Sequence, residues 1–245
     1  MLTQDRGIEI LQRIRIAMEA ITASTLTQSI PNFQEYAQHG TLQRTRRRQP
    51  NAGSAPNMIP TFSSSGVLPP FVGNSPAEPA GVSPYSATMV EVVDSLGTTP
   101  ARAELCRGLL KLRKALREIG IDQGVQWLNG SFCEDVEVTR GRGPNDIDVV
   151  TLIARPDKYK ESASWKGFVA ANLHLFDSRI VKSRYRCDAY FIDLHHRADF
   201  TISQITYWFG LFTHQRATHL WKGILQVPLQ SDDEIAEEIL GIPQT

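Results

Sequence analysis

The sequence predicts an α/β (α+β) fold: a small mixed β-sheet core flanked by helices, with an N-terminal helix and a Pro/Gly-rich linker ahead of it. Three observations carry that prediction. Leu105, Leu109, Leu112, Leu116 and Ile119 recur at spacings of 4, 3, 4 and 3, the stripe of an amphipathic helix. Residues 146–153 are β-branched and partly alternating, which is the pattern of a strand. Helical patterns then interleave with few strand patterns, as in α/β and α+β chains.

In chain order, Ile10, Ile14, Ala17 and Ile21 fall on one face of a short helix, with Thr3 as its cap and Asp5 in its first turn. One such helix cannot bury its own stripe. It must dock on the body of the protein or on a partner, either another protein or a second copy of the chain. Arg44, Arg46, Arg47 and Arg48, followed by Pro50, Gly53, Pro56 and Pro60, read as a solvated basic linker. Residues 1–58 are therefore expected to be accessory, and 59–245 to form the domain. Residues 86–96 predict a helix carrying Met89, Val92, Val93 and Leu96. Thr99 and Pro100 start the leucine helix, Lys111, Arg113, Lys114 and Arg117 face outward, and Gly120 stops it. Residues 125–129 predict a strand ending at Gly130-Ser131, where a helix begins. A helix over 157–176 places Trp165, Phe168, Val169, Asn172, Leu173 and Phe176 on one side, and 185–194 form another strand. Residues 201–213 predict a helix with Tyr207, Trp208, Phe209 and Phe212 in the core, and 223–229 a short strand. Ser231 caps a last helix whose Asp232, Asp233 and Glu234 suit its positive end.

Composition narrows the function. The 245 residues hold 26 Lys+Arg and 26 Asp+Glu, so the net charge is zero, which argues against a polybasic nucleic-acid coat or an acidic tail. Cys106, Cys133 and Cys187 are odd in number and widely spaced, giving neither a disulfide framework nor a zinc pattern. No apolar run approaches a membrane span, and Asp5, Arg6, Glu9, Arg13 and Arg15 interrupt any signal-peptide core. The expectation is a soluble cytoplasmic protein without a membrane partner.

The chemistry-bearing pattern is Gly130-Ser131, fourteen residues, then Asp146-Ile147-Asp148, with Asp188 on a later apolar strand. Residues i and i+2 of a strand share a face, so Asp146 and Asp148 present two carboxylates about 7 Å apart while Ile147 and Val149 enter the core. Close carboxylates repel unless a cation sits between them. An oxygen-only donor set with open positions suits Mg²⁺ or Mn²⁺. A third strand carboxylate would complete a two-metal site; Asp188 is the first candidate, and Asp193, on the opposite face, the second. At Gly130 and Ser131 a backbone N–H and a hydroxyl can hold phosphate oxygens, with glycine leaving room for their approach.

This combination resembles the DNA polymerase β-type nucleotidyltransferase superfamily over residues 100–195. Gln215-Arg216 and Trp221-Lys222-Gly223-Ile224, with Ile59-Pro60-Thr61-Phe62 and Leu68-Pro69-Pro70, extend it to small bacterial nucleotidyltransferase-like proteins. The resemblance implies a small mixed-sheet nucleotidyltransferase core. It also implies transfer of a nucleoside monophosphate from an NTP, ATP included, to a nucleotide, RNA or protein hydroxyl, with pyrophosphate released. Gly130 and Ser131 would contact the triphosphate, Asp146 and Asp148 both metals, and Asp188 the catalytic metal and the attacking hydroxyl. Lys222, Arg216 and Lys182 are candidates for triphosphate or acceptor contact. A spacer longer than usual carries Arg140 and Arg142 in a Gly-rich loop near the nucleotide. Small stand-alone members often serve in bacterial toxin–antitoxin or anti-phage defence systems. The rivals are a non-catalytic binding module of the same fold, acting as antitoxin or scaffold, and another metal-dependent phosphoryl enzyme such as a nuclease. His195, His196, His214 and His219 read as loop or surface residues, and Cys133 and Cys187 as small core residues.

Overall fold

The computed structural model describes residues 59–242. The expected N-terminal helix and the basic run Arg44–Arg48 lie outside the described residues. The strands are β1 (Tyr85–Ser86), β2 (Gly124–Asn129), β3 (Ile147–Ile153), β4 (Cys187–Asp193) and β5 (Leu225–Pro228). They form a mixed sheet in the order β1-β5-β2-β3-β4. β2 runs antiparallel to β3 and β5, β3 parallel to β4, and β1 parallel to β5. The helices are α1 (Met89–Leu96), α2 (Pro100–Glu118), α3 (Val136–Arg140), α4 (Ser162–Ala171), α5 (Leu173–Phe176), α6 (Ser178–Tyr185), α7 (Ala198–Phe212) and α8 (Asp233–Ile239). The fold is α/β as expected. No helix among the described residues is long and apolar enough to cross a membrane.

Strand alternation splits the sheet into two differently covered faces. On one, Leu128, Ile147, Val149, Cys187, Ala189, Leu225 and Val227 join the main core with Leu105, Leu109, Leu112 and Leu116 of α2. Each fully buried leucine contributes about 1.5–3 kcal/mol. On the other, Trp127, Val150, Leu152 and Ile192 pack under Trp208 and Phe212 of α7. Asn129, Asp148 and Asp188 share this second face at the opposite end of their strands.

α2 is built as its sequence predicts. Thr99 Oγ1 accepts from Arg102 N at 3.3 Å, Pro100 opens the first turn, and the bonds Gly120 N→Arg117 O and Ile121 N→Leu116 O close the last. Its polar face is different from the expectation. Arg113 is fully buried, not outward. Its guanidinium donates to Asp233 Oδ1 and Oδ2 at 2.8 Å, to Gln126 Oε1 at 2.7 Å and to the Pro228 carbonyl at 2.7 Å. Arg113 lies four residues after Leu109 and three before Leu116, so it belongs to the apolar stripe and needs this set of acceptors to be buried. Arg117 also bonds Asp233.

Other boundaries shift for local reasons. Asn172 interrupts the expected helix over 157–176: its Nδ2 donates to the Phe168 carbonyl at 2.9 Å, a bond that competes with the helical ladder. The pieces are a 3₁₀ turn (Asp157–Tyr159), α4 and α5, and the change of phase leaves Leu173 exposed and Leu175 buried. α6 falls where no helix was expected. Asp177 Oδ1 caps it by accepting from Arg179 N at 2.9 Å, and Val181 and Tyr185 anchor it four residues apart. A Cβ on Gly108 of α2 would stand 2.1 Å from the Tyr185 carbonyl, so glycine there lets α6 lie against α2. In α7 Trp208 and Phe212 are buried, but Tyr207 and Phe209 are exposed rather than core. Ser231 is not a cap of α8: the N-cap is Asp232, and Ser231 Oγ and Asp232 Oδ1 each accept at 3.1 Å from the first amides of α1, Met89 N and Val90 N.

The Arg113–Asp233 pair ties α2 to the segment after β5. Replacing Asp233 by Asn strands a buried guanidinium, and should destabilise the protein by about 3–5 kcal/mol. Urea unfolding checks this; a loss below about 1 kcal/mol would mean that water reaches the pair.

Candidate active site

Parallel pairing sets Asp148 directly beside Asp188, and antiparallel pairing sets Asn129 on the other flank of Asp148. Asp146 stands one residue ahead of β3. Gly130 then turns the chain across the end of β2 with φ +77°, and a Cβ there would lie 1.8 Å from Asp148 Oδ2. Only glycine lets the backbone pass this close to the carboxylate. The turn is one 3₁₀ turn, Gly130–Cys133, not the start of a helix; α3 begins after it at Val136, capped by Asp135. Asn129 holds the turn from within: its Oδ1 accepts from Gly130 N at 2.7 Å and its Nδ2 donates to the Gly223 carbonyl at 3.1 Å. Ser131 follows, half-buried in the same turn.

Three carboxylates at one end of the sheet carry an electrostatic cost. Burial first, then the charges of Asp146 and Asp188, push Asp148 up to about 6, against the pull of Arg216 and Lys222. A cation is present. Lys182 Nζ lies 2.6 Å from Asp146 Oδ2 and 3.1 Å from Asp188 Oδ2. Burial works against its charge, but the bonds to Asp146 and Asp188 outweigh burial and raise it to about 12. Among the described residues no three or more His, Cys, Asp or Glu side chains are drawn together tightly enough to hold a metal ion. The ammonium bridges Asp146 and Asp188. The three carboxylates offer oxygen donors only, and two of them already share a cation, so the donor chemistry, though not the present spacing, suits a divalent ion of the Mg²⁺ type.

The remaining expected residues divide. Arg216 sits on an exposed turn between α7 and β5, close enough to lower the Asp148 pKa, and makes no ion pair with a described residue. Lys222 is buried beneath the turn: its Nζ is 2.6 Å from Glu134 Oε1 and 3.3 Å from the Gly130 carbonyl. Glu134 also accepts from Gln215 Nε2 at 2.8 Å and Arg140 Nη2 at 2.7 Å. Its burial opposes ionisation, yet Lys222, Gln215 and Arg140 together hold its carboxyl below the usual range. Lys222 is thus placed to brace the Gly130 turn, and Arg140 is engaged at Glu134. Arg142 is exposed, bonded to the Gly143 carbonyl. Asp193 is remote, locked to Arg155 at the far end of β4. His195 accepts from Arg155 N at 3.2 Å. All three cysteines are buried, and burial raises their thiols, Cys106 and Cys133 to about 12, so none is a nucleophile. Glu134 had no motif to reveal it. Its buried partners come from segments about 80–90 residues away.

Residues 60–228 match the model of a family of unknown function (DUF6932). The chain belongs to this family. The matched span contains the Gly130 turn, the three aspartates, Lys182, Arg216 and Lys222. No curated protein and no solved structure matches the chain.

Two outcomes follow. The folded-state pKa of Asp148 exceeds the ordinary value of 3.8, so the cost of ionising it is absent below about pH 4 and complete above about pH 6. In chelator at pH 7.5, Asp148→Asn should therefore stabilise the protein by about 1–2 kcal/mol, raising its melting temperature by a few degrees, and the gain should vanish at pH 4. Melts at both pH values check this; a destabilised variant at pH 7.5 would sink the crowding argument. Gly130→Ala should cost about 1–2 kcal/mol from the backbone conformation alone. It should also displace Asp148, seen as loss of the stability difference between the two pH values.

Proposed function

We propose that the protein is a metal-dependent nucleotidyltransferase. The observation that carries this reading is the in-register pairing of Asp148 with Asp188 across β3 and β4, with Asp146 joined to Asp188 through the Lys182 ammonium and the Gly130 backbone against Asp148. Asp146, Asp148 and Asp188 would hold Mg²⁺ or Mn²⁺, which when bound neutralises triphosphate charge and acidifies the acceptor hydroxyl. Gly130 keeps the approach to Asp148 free of side-chain bulk, and Ser131 offers a hydroxyl to a phosphate oxygen. Arg216 adds positive charge near enough to Asp148 to lower the cost of ionising it. Asp188, on the edge strand, would take the proton of the acceptor hydroxyl as the new bond to the α-phosphorus forms and the bond to pyrophosphate breaks. The acceptor class is a nucleotide, RNA or protein hydroxyl, and a defence or toxin–antitoxin setting rests on the resemblance alone.

The competing reading is a non-catalytic module of the same fold. What favours it is Lys182, which neutralises Asp146 and Asp188 with no metal at all. Incubation with α-labelled NTPs, Mg²⁺ or Mn²⁺ and bacterial lysate separates the two. The wild type should transfer label with release of pyrophosphate, and Asp188→Asn should reduce transfer at least a hundredfold. No transfer by folded wild-type protein would favour the module; equal transfer by the variant would overturn the site.

A further inference from the structure

We propose that Lys182 is the gate of the carboxylate site: its ammonium holds the cation position between Asp146 and Asp188, and must leave before a divalent ion can enter. This rests on the reading of that site as a metal site. Both contacts converge on one nitrogen, at 2.6 and 3.1 Å, and each uses an Oδ2 oxygen that a metal would need. The lysine is held there by its helix. Val181 and Tyr185 bury α6 against the core, Gly108 lets that helix approach, and Arg186, in left-handed conformation at φ 57°, turns the chain directly into β4. Arg186 also donates to the Asn145 carbonyl at 3.0 Å and accepts from Ile147 N at 3.1 Å, which fixes the segment carrying Asp146. The ammonium is therefore matched to two carboxylates whose positions are set independently of it.

Lys182 is also 46% exposed. An ammonium on a flexible, half-exposed stem can swing out without unpacking the core. Two cations competing for the same two carboxylates give negative coupling, and a ligand that offers the ammonium another anion relieves it. Divalent ions alone should bind weakly to the wild type, and a nucleoside triphosphate should strengthen their binding by drawing Lys182 onto its phosphates.

Manganese titration followed by the paramagnetic resonance of free Mn²⁺ tests this without turnover. Lys182→Met keeps the length of the stem and removes the charge, and should bind Mn²⁺ alone about tenfold more tightly than the wild type. Lys182→Met/Asp188→Asn should lose that gain. A non-hydrolysable NTP analogue should tighten Mn²⁺ binding to the wild type more than to Lys182→Met. Circular dichroism confirms that each variant is folded. If folded Lys182→Met binds Mn²⁺ no better than a wild type that does bind it, Lys182 is a structural pair and the gate is wrong, while the metal site stands. If neither protein binds Mn²⁺, with or without the analogue, the metal-site reading falls and the gate with it.

Discussion

Asp148 and Asp188 are held side by side because β3 and β4 run parallel and in register. Backbone hydrogen bonding sets the separation of their Cα atoms, which leaves only side-chain rotation to ease the repulsion. Like charges so placed must bind a cation or a proton. Much of the local structure answers that demand: Lys182 at two of the carboxylates, and the charges of Arg216 and Lys222 felt by the third. α7 covers the rest of the same sheet face with Trp208 and Phe212. The carboxylates stand beyond that cover, at the end of the strands where the chain turns through Gly130.

Buried ion pairs connect the parts that must stay in place. Glu134 and Lys222 lie 88 residues apart in sequence, yet their contact braces the Gly130 turn, and Gln215 joins the same carboxylate beside the turn that carries Arg216. Arg102 of α2 reaches the Phe132 and Glu134 carbonyls at 2.7 and 2.6 Å, and fixes the turn from its other side. A buried pair contributes little net stability compared with apolar packing, because desolvation offsets the attraction. Its value here is geometric. The planar guanidinium of Arg102 fits a fixed arrangement of acceptors, and Lys222 adds a buried charge beneath, so the turn is held in register with the strand that carries Asp148.

How much of this could be read in advance depended on whether the cause was local. The leucine ladder of α2 and the β-branched run of β3 are periodic, and periodicity reports burial. Asp146, Asp148 and Asp188 were legible because strand alternation puts them on a known face. Arg113 defies the expectation drawn from its charge, because its spacing from Leu109 and Leu116 sets it in the stripe. α6 was missed despite Asp177, an N-cap, and Val181 and Tyr185 at helical spacing. The place of Lys182 between Asp146 and Asp188 depends on that helix, so the sequence suggests only a phosphate or acceptor contact for it. The Glu134 cluster had no local signature at all, since its members meet only when the sheet has formed. Cys133 and Cys187 were legible as core residues because unpaired cysteine is among the most often buried side chains, and the structure buries both.

The weight given to Lys182 turns on magnitudes. An ion pair at a half-exposed ammonium is worth about 0–1 kcal/mol, since water screens it and the long stem loses freedom on pairing. That is enough to offset part of the repulsion between two carboxylates, but weak as a permanent structural bond. A fixed structural cation would be expected to resemble Arg113 or Lys222, buried and satisfied on every side, and Lys182 does not. A divalent ion brings twice the charge to the same oxygens. On the proposed gate, the ammonium is a weak occupant: strong enough to relieve the repulsion of Asp146 and Asp188, and weak enough to yield to a divalent ion.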